Sequence, residues 1–595
     1  LVLYNSICIQ KRHHVDVVGN MAEGVKWDVK IPTNLSITDY IELKCSRDDP
    51  GMLGILNRIP TLPEVVIYHN CPAAVYSAAI RHTLEVPKPT KDYASTFNRW
   101  FDHIWETEIL PILDKFTYSH NAWFNTLSSS QQRGSMKVVE QGNLWSEPNS
   151  RNPRGPYTIF PKLEKLADEN GFGAFTDQVG DPGSLPKFRA VEGPTDFWKE
   201  ILGPISKRLN ILFGEQFFGY CSGKNWEEME KEYRAAYMRA FLWLFKGDMS
   251  ALDRSMTELA KNTVNRVYNY LTPLITHCSP EVWLACINQA IFIAELYFTE
   301  SKDRKSLGKF AVPHTRMTGD PDTTFGNTFW VTLSIRFVLE HDLGWLPREY
   351  ALWVKGDDFS VAYDDFPKET IKAAFTNRFA PNITPKYYGN GMVLKLLEFT
   401  QLQYNDFCST ETFFCGVCKR FHITRQLMRF LTLTPYSQTA LSLTQQQLDY
   451  YCHQLATANS LWIHNLPIFR VMNNKLFRPN AKPVNLPNAK PKFHRDVSDE
   501  EALLYGHKQS LSNHEAFLRS FEKNYHSMLD RVSGPMGDCC VESYYTYLEQ
   551  MYGVGKSQVD QVEIDLARDQ PNGLILGEML STYRQRKATN VEALW

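Results

Sequence analysis

The stretch ALWVKGDDFSVAYDD (351–365) constrains this chain more than any other. An apolar run stops at Gly356, two aspartates follow, and a second apolar run resumes. Glycine permits a tight backbone turn, so the pattern predicts a β-hairpin with strands buried on both sides of Asp357 and Asp358. Adjacent carboxylates repel, and desolvating them is costly. Either the turn sits in water, or a cation belongs there.

Two further stretches carry matching chemistry. LWLFKGDMSALDRSM (242–256) places Asp248 at the end of an apolar, strand-like run, with Asp253 five residues on. A strand delivering Asp248 beside Asp357 would make a carboxylate site for two metal ions, the arrangement that suits phosphoryl transfer. TRMTGDPDTTFGNTFW (315–330) gives Thr318, Gly319, Thr323 and Asn327. Thr323 and Asn327 are four apart and share a helix face. Gly319 allows a flexible loop before that helix. Hydroxyls and an amide converging there could read a ribose 2′-OH, which both donates and accepts hydrogen bonds. Taken singly, each stretch has an ordinary structural reading: a solvated hairpin tip, a common Asp spacing, a helix N-cap.

In this order and spacing, the three stretches resemble motifs A, B and C of viral RNA-dependent RNA polymerases. RMTGDPDTTFGNT is most similar to the tombusvirus- and nodavirus-like positive-strand RNA viruses. FPKLEKL (160–166) and LPKFRAV (185–191) resemble the basic fingers motif, which implies that Lys162, Lys165, Lys187 and Arg189 lie near the triphosphate. GMVLKLLEF (391–399) resembles motif D, implying Lys395 as the general acid for the pyrophosphate leaving group. YNDFCSTETFF (404–414) resembles the primer-grip hairpin, with Cys408 and Ser409 touching the nascent strand. The resemblance covers about 160–415 and, more softly, about 75–130. Thr318 stands where serine is usual, and Ala251-Leu252 stands where Arg-Phe is often found. Neither change removes a metal ligand.

The resemblance implies a mixed α/β (α+β), helix-rich right-hand fold of fingers, palm and thumb. It implies an N-terminal extension over 1–90, fingers over 91–240 and a palm over 241–408 that carries a helical fingers insertion at about 257–310. Residues 409–595 would form the thumb and C-terminal region. The implied reaction is template-directed transfer from an NTP to an RNA 3′-OH. Asp248 and Asp357 would bind two Mg²⁺ (or Mn²⁺) ions, with Asp358 a secondary ligand. Asp253, Asn327 and Thr318 would select ribose. The implied partners are RNA template, nascent RNA, NTPs, other viral replication proteins and host membranes, in replication complexes of the host cytoplasm. A reverse transcriptase with the same palm is the alternative enzyme, disfavoured by motif B and by Gly356. A non-catalytic RNA-binding replication subunit is the alternative from another class, disfavoured by intact Asp248, Asp357, Asp358 and Asn327.

Composition narrows the remainder. A chain of 595 residues is too long for one compact domain. Its net charge of −2 gives no global pull toward nucleic acid, so any polyanion site is a local basic channel. Twelve scattered cysteines fit a reducing compartment. VWLACINQAIFIAELYF (282–298) is interrupted by Asn288, Gln289 and Glu295 and reads as a buried helix, too polar to span a bilayer. The first twenty residues lack a signal-peptide layout. The initial Leu1 fits a fragment or a translated open frame, with Met21 an alternative start. YDD (363–365), past the hairpin strand and before Pro367, reads as the start of the next helix. CGVC (415–418), with Cys408 and His422 nearby, has part of a zinc spacing, but strand packing is the simpler reading.

Overall fold

The computed structural model describes residues 88–148, 152–162, 165–167, 190–250, 252–253, 255–300, 303–379, 389–394, 396–463, 465–484, 492–505, 537–568 and 573–593, with short segments at 3–4, 26–27, 52–63 and 65–66. The chain is mixed α/β. The strands used below are β1 (Tyr157–Pro161), β2 (Ala190–Gly193), β3 (Trp243–Ser250), β4 (Ile291–Glu300), β5 (Asp303–Pro313), β6 (Tyr350–Lys355), β7 (Asp358–Tyr363), β8 (Val393–Leu394), β9 (Leu396–Gln401), β10 (Thr410–Cys415), β11 (Arg420–Arg425) and β12 (Val591–Ala593). The helices are α1 (Lys91–Ile104), α2 (Asp196–Gln216), α3 (Trp226–Met238), α4 (Glu258–Leu271), α5 (Pro280–Ile287), α6 (Thr323–Arg336), α7 (Lys368–Phe379), α8 (Leu427–Leu433), α9 (Asp538–Tyr552) and α10 (Gly573–Thr589).

An antiparallel sheet in the order β6-β7-β3-β9-β12 forms the centre, with β8 also paired to β3. Strands β6 and β7 are buried on both faces, and the alternation shows why. Phe245, Phe359, Val361, Tyr350, Leu352 and Val354 enter the largest core. Leu244, Ala362, Ala351 and Trp353 enter a smaller one, which α3 covers through Met229, Tyr233 and Ala236. Successive strand side chains point to opposite faces, so covering both faces demands near-continuous apolar runs. That is the ALWV pattern, whereas in LWLF only Leu244 and Phe245 are buried and Leu242 and Trp243 are exposed.

Helix α6 lies within the large core and is buried on every side from Phe325 to Arg336. Phe325, Phe329 and Trp330 interlock with Phe213 of α2 and Phe97 of α1 through edge-on ring contacts. Its apolar residues point all round instead of along one stripe, which places it inside, and Thr328, Thr332 and Arg336 are hydrogen-bonded there. A separate core joins the β10–β11 hairpin to the C-terminal helices through Phe413, Cys415, Phe469, Tyr544, Leu548 and Met579.

The segment 282–298 is not one helix. Helix α5 ends at Ile287 and strand β4 begins at Ile291. The physical reason is the change of period. Phe292 and Ala294 are buried while Ile291 is 57% exposed, an alternation of two that continues after Asn288 caps the helix. Strands β4 and β5 then form a long antiparallel hairpin, so the 257–310 insertion is only partly helical. β4 also pairs in parallel with β1, which pairs with β2. YDD does not start the next helix: Tyr363 ends β7, and α7 begins only at Lys368, because its first turn hydrogen-bonds back to the Pro367 carbonyl.

Candidate active site

The β6–β7 turn holds Gly356 with φ of 65°, a left-handed backbone that glycine adopts without strain. Register pairs Asp358 directly opposite Asp248 on β3, and Phe359 opposite Gly247. The Met249 N–H donates to the Asp357 carbonyl at 3.1 Å, which fixes the turn against the end of β3. Carboxylate oxygens of Asp248, Asp357 and Asp358 therefore lie within 4.8 Å of one another. Asp248 and Asp357 are exposed and Asp358 half-buried. Burial and the neighbouring Asp357 push the Asp358 carboxyl up to about 6, against the opposing pull of Cys408 and Lys246.

Cys408 and Ser409 sit beside this cluster in consecutive left-handed conformations, φ of 57° and 59°. The Cys408 thiol bonds to Asp358, and burial pushes that thiol's pKa up. Cys408 thus borders the acidic cluster, and Ser409 follows it in the chain. Lys246, two residues before Asp248, forms ion pairs with Glu398 at 3.0 Å and with Asp406. Lys587 of α10 pairs with the same two carboxylates.

Asn327 lies on α6, one residue before Thr328, which bonds the Gly356 turn. Its Nδ2 donates to Asp253 Oδ1 at 2.9 Å, and its Oδ1 accepts from Arg316 Nε at 3.2 Å. The Asp253 carbonyl accepts from the Arg316 backbone N–H at 2.8 Å and the Thr315 hydroxyl at 3.1 Å. Asp253 and Asn327 are therefore oriented by partners on both sides. The Gly356 N–H donates to the Thr328 hydroxyl at 2.9 Å, so α6 braces the aspartate turn as well.

The loop before α6 is held from behind. The Thr318 N–H donates to Glu192 Oε2 at 2.6 Å, its hydroxyl bonds the same carboxylate, and the Glu192 N–H returns a bond at 3.2 Å. A Cβ on Gly319 would lie 2.3 Å from the Glu192 carbonyl oxygen, so only glycine fits that approach. The Thr323 hydroxyl donates to the carbonyls of Met317 and Thr318 at 3.1 and 3.2 Å. Thr323 closes the loop, while Asn327 alone of that helix pair meets Asp253.

The basic residues divide differently. Lys162 follows β1 and is half-buried. Lys165 is turned away from the carboxylates: its ammonium donates to the carbonyls of Leu433 and Tyr436 at 2.8 and 2.9 Å, at the end of α8. Burial and Arg425 lower its pKa. Cations suit helix C-termini, which explains its seat there. Lys187, Arg189 and Lys395 lie outside the described residues.

A buried charge network supports α6 and was not read from the sequence. Arg316 is fully buried and pairs with Asp322, which also accepts from the Tyr268 hydroxyl. Asp320 accepts from Tyr157 at 3.0 Å and pairs with Arg154 at 3.5 Å. Lys261 is buried near them, its pKa driven down by burial, Arg316 and Arg154. The signal was present as Arg316 six residues before Asp322, but nothing local distinguishes that pair from a solvated loop.

No protein-family model matches the chain, and no curated protein is similar to it at a significant level. Among the described residues no helix is long and apolar enough to cross a membrane.

Proposed function

We propose that the chain is an RNA-directed RNA polymerase of the kind used by positive-strand RNA viruses. The observation that carries this reading is the placement of Asp248 opposite Asp358 across adjacent strands, with Asp357 beside them and the Asn327–Asp253 pair oriented nearby. On this reading the central sheet is the palm, α6 is its motif B helix, and the C-terminal helices form the thumb.

Three clustered carboxylates, one of them with its pKa raised by burial and by its neighbour, fit a pair of divalent cations. Asp248, Asp357 and Asp358 would hold Mg²⁺ or Mn²⁺. Bound there, the ions would activate the RNA 3′-OH and neutralise the leaving phosphates. The chain's own residues do the positioning. Asp253 and Asn327, locked by Arg316, present an acceptor and a donor to the ribose 2′-OH. The Thr318 loop, anchored on Glu192, sets the height of that pair. Cys408 and Ser409 bear on the primer end from beside Asp358.

Asn327→Ala is expected to reduce discrimination between NTP and dNTP by about 10–100-fold, because one directional bond to the 2′-OH is lost. Unchanged discrimination in competition assays would remove Asn327 from the ribose-reading role. The whole reading is tested by giving the purified protein an RNA primer–template, labelled NTPs and Mg²⁺ or Mn²⁺. RNA product supports it. DNA product from dNTPs indicates a reverse transcriptase, and RNA binding without extension indicates a non-catalytic subunit.

Asp358 also predicts a pH dependence. Its pKa in the folded chain is raised, so without metal its contribution to stability is full below about pH 4 and is lost as pH rises through about 6. Cations oppose that loss only once the carboxylate is ionised. Thermal unfolding should show a larger Mg²⁺-induced rise in Tm at about pH 7.5 than at about pH 5. Equal rises at both pH values would mean that the ions bind elsewhere.

A further inference from the structure

Four cysteine sulfurs converge where the β10–β11 hairpin meets α9. Cys415 ends β10 and Cys418 lies in the hairpin turn. Cys539 and Cys540 occupy the first turn of α9, more than 120 residues later. The Sγ atoms of all four lie within 4.8 Å of one another. Cys418 and Cys540 are 3.6 Å apart, and Cys539 and Cys540 are 3.9 Å apart. These are not disulfide distances, which are near 2.05 Å. They approach the edge of a tetrahedron of sulfurs around zinc, about 3.8 Å for a Zn–S bond of about 2.3 Å.

We propose that Cys415, Cys418, Cys539 and Cys540 form a structural zinc site that clamps the hairpin turn to α9. The ligand spacing is C-x2-C from the turn and an adjacent pair from the helix. Four sulfur donors in this arrangement select zinc over magnesium or calcium. Cys415 and Cys540 are fully buried, while Cys418 and Cys539 are half-exposed and leave the ion a path from solvent. The turn is shaped for the purpose. Lys419 adopts a left-handed φ of 55°, which turns the chain immediately after Cys418. The Ser543 hydroxyl and the Cys415 thiol both donate to the Cys539 carbonyl, at 2.7 and 3.5 Å, which ties the hairpin sulfur to the first turn of α9.

Packing of strands explains neither the convergence nor its composition. Of the two residues nearest in sequence that could have completed CGVC, Cys408 bonds Asp358 and His422 stacks against Phe413. Binding would displace the four thiol protons, leaving a site of net charge −2. Lys419 and Arg420 follow directly in the chain to offset it. The site stands apart from the Asp248 cluster and does not depend on the polymerase reading.

The test is metal content. The full chain, purified under reducing conditions without an affinity tag that binds metal, is expected to carry one zinc per molecule by plasma mass spectrometry. Exchange for Co²⁺ should give intense thiolate-to-cobalt charge-transfer absorption with tetrahedral visible bands. Cys418→Ser and Cys539→Ser should each reduce zinc well below one per chain, whereas Cys452→Ser, a buried thiol elsewhere, should retain it. If the ligand variants fail to fold, the wild-type zinc content and cobalt spectrum decide. Wild-type protein that holds no metal and gives no cobalt charge-transfer band overturns the assignment. So does iron in place of zinc, or a disulfide among these four residues.

Discussion

Replacing Asp357 and Asp358 together with alanine is expected to abolish RNA primer extension, with a loss on the order of 10³–10⁵. Two of the three carboxylates go, and Asp248 alone cannot hold two cations. Folding should survive, because the lost groups repel one another and burial already disfavours ionised Asp358. Removing them is expected to leave the metal-free protein as stable as the wild type or more so above about pH 6. Activity measured beside a urea midpoint separates the two effects. Residual extension within tenfold of wild type, at intact stability, would mean that these aspartates are not the metal ligands. A loss of both activity and fold would point instead to a structural turn.

Arg316→Met is expected to act mainly on stability. Arg316 is fully buried and bonds Asp322 and Asn327. Methionine fills similar volume without charge, so the Asp322 carboxylate keeps the Tyr268 hydroxyl and the nearby Lys261 but loses its guanidinium partner. Breaking one side of a buried pair costs about 3–5 kcal/mol. The urea midpoint should fall accordingly, and Arg316→Lys should recover only part of it, because a point charge cannot bond both partners at once. Asn327 would also lose the bond that orients its amide. NTP selection should therefore loosen in any Arg316→Met protein that folds. A midpoint equal to wild type would show that Asp322 is satisfied without the guanidinium.

The parts of this fold legible in the sequence are those whose signal is local. The turn at Gly356 and the apolar runs beside it suffice to predict β6 and β7, because glycine, charge and burial all lie within fifteen residues. The approach of Asp248 to that turn was readable from its place at the end of a strand. The 282–298 segment misleads because a helix and a strand meet within one apolar stretch. Lys165 was legible as basic, but not as a ligand of carbonyls near residue 433, since that contact spans more than 260 residues. The same holds for the cysteines. CGVC shows two sulfurs, and only the tertiary structure brings Cys539 and Cys540 to them. Long-range partners leave no periodic trace, so pattern reading stops where chain separation begins.

Strand β12 completes the central sheet by pairing Leu396 with Ala593, and α10 before it delivers Lys587 to Glu398 and Asp406. Nearly 200 residues separate the two strands. At ribosomal rates of about 5–20 residues per second, β9 waits roughly 10–40 s after its own synthesis for that neighbour. During that interval, among the described residues, Lys246 balances Glu398 and Asp406 without Lys587, and one edge of the sheet is open. An open edge is a template for pairing with another chain. Nascent chains are therefore most exposed to misassembly in that interval, when the strands carrying Asp248, Asp357 and Asp358 exist but β12 does not. Slowing the arrival of residues 573–593 should lower the yield of soluble protein more than slowing an equal length elsewhere.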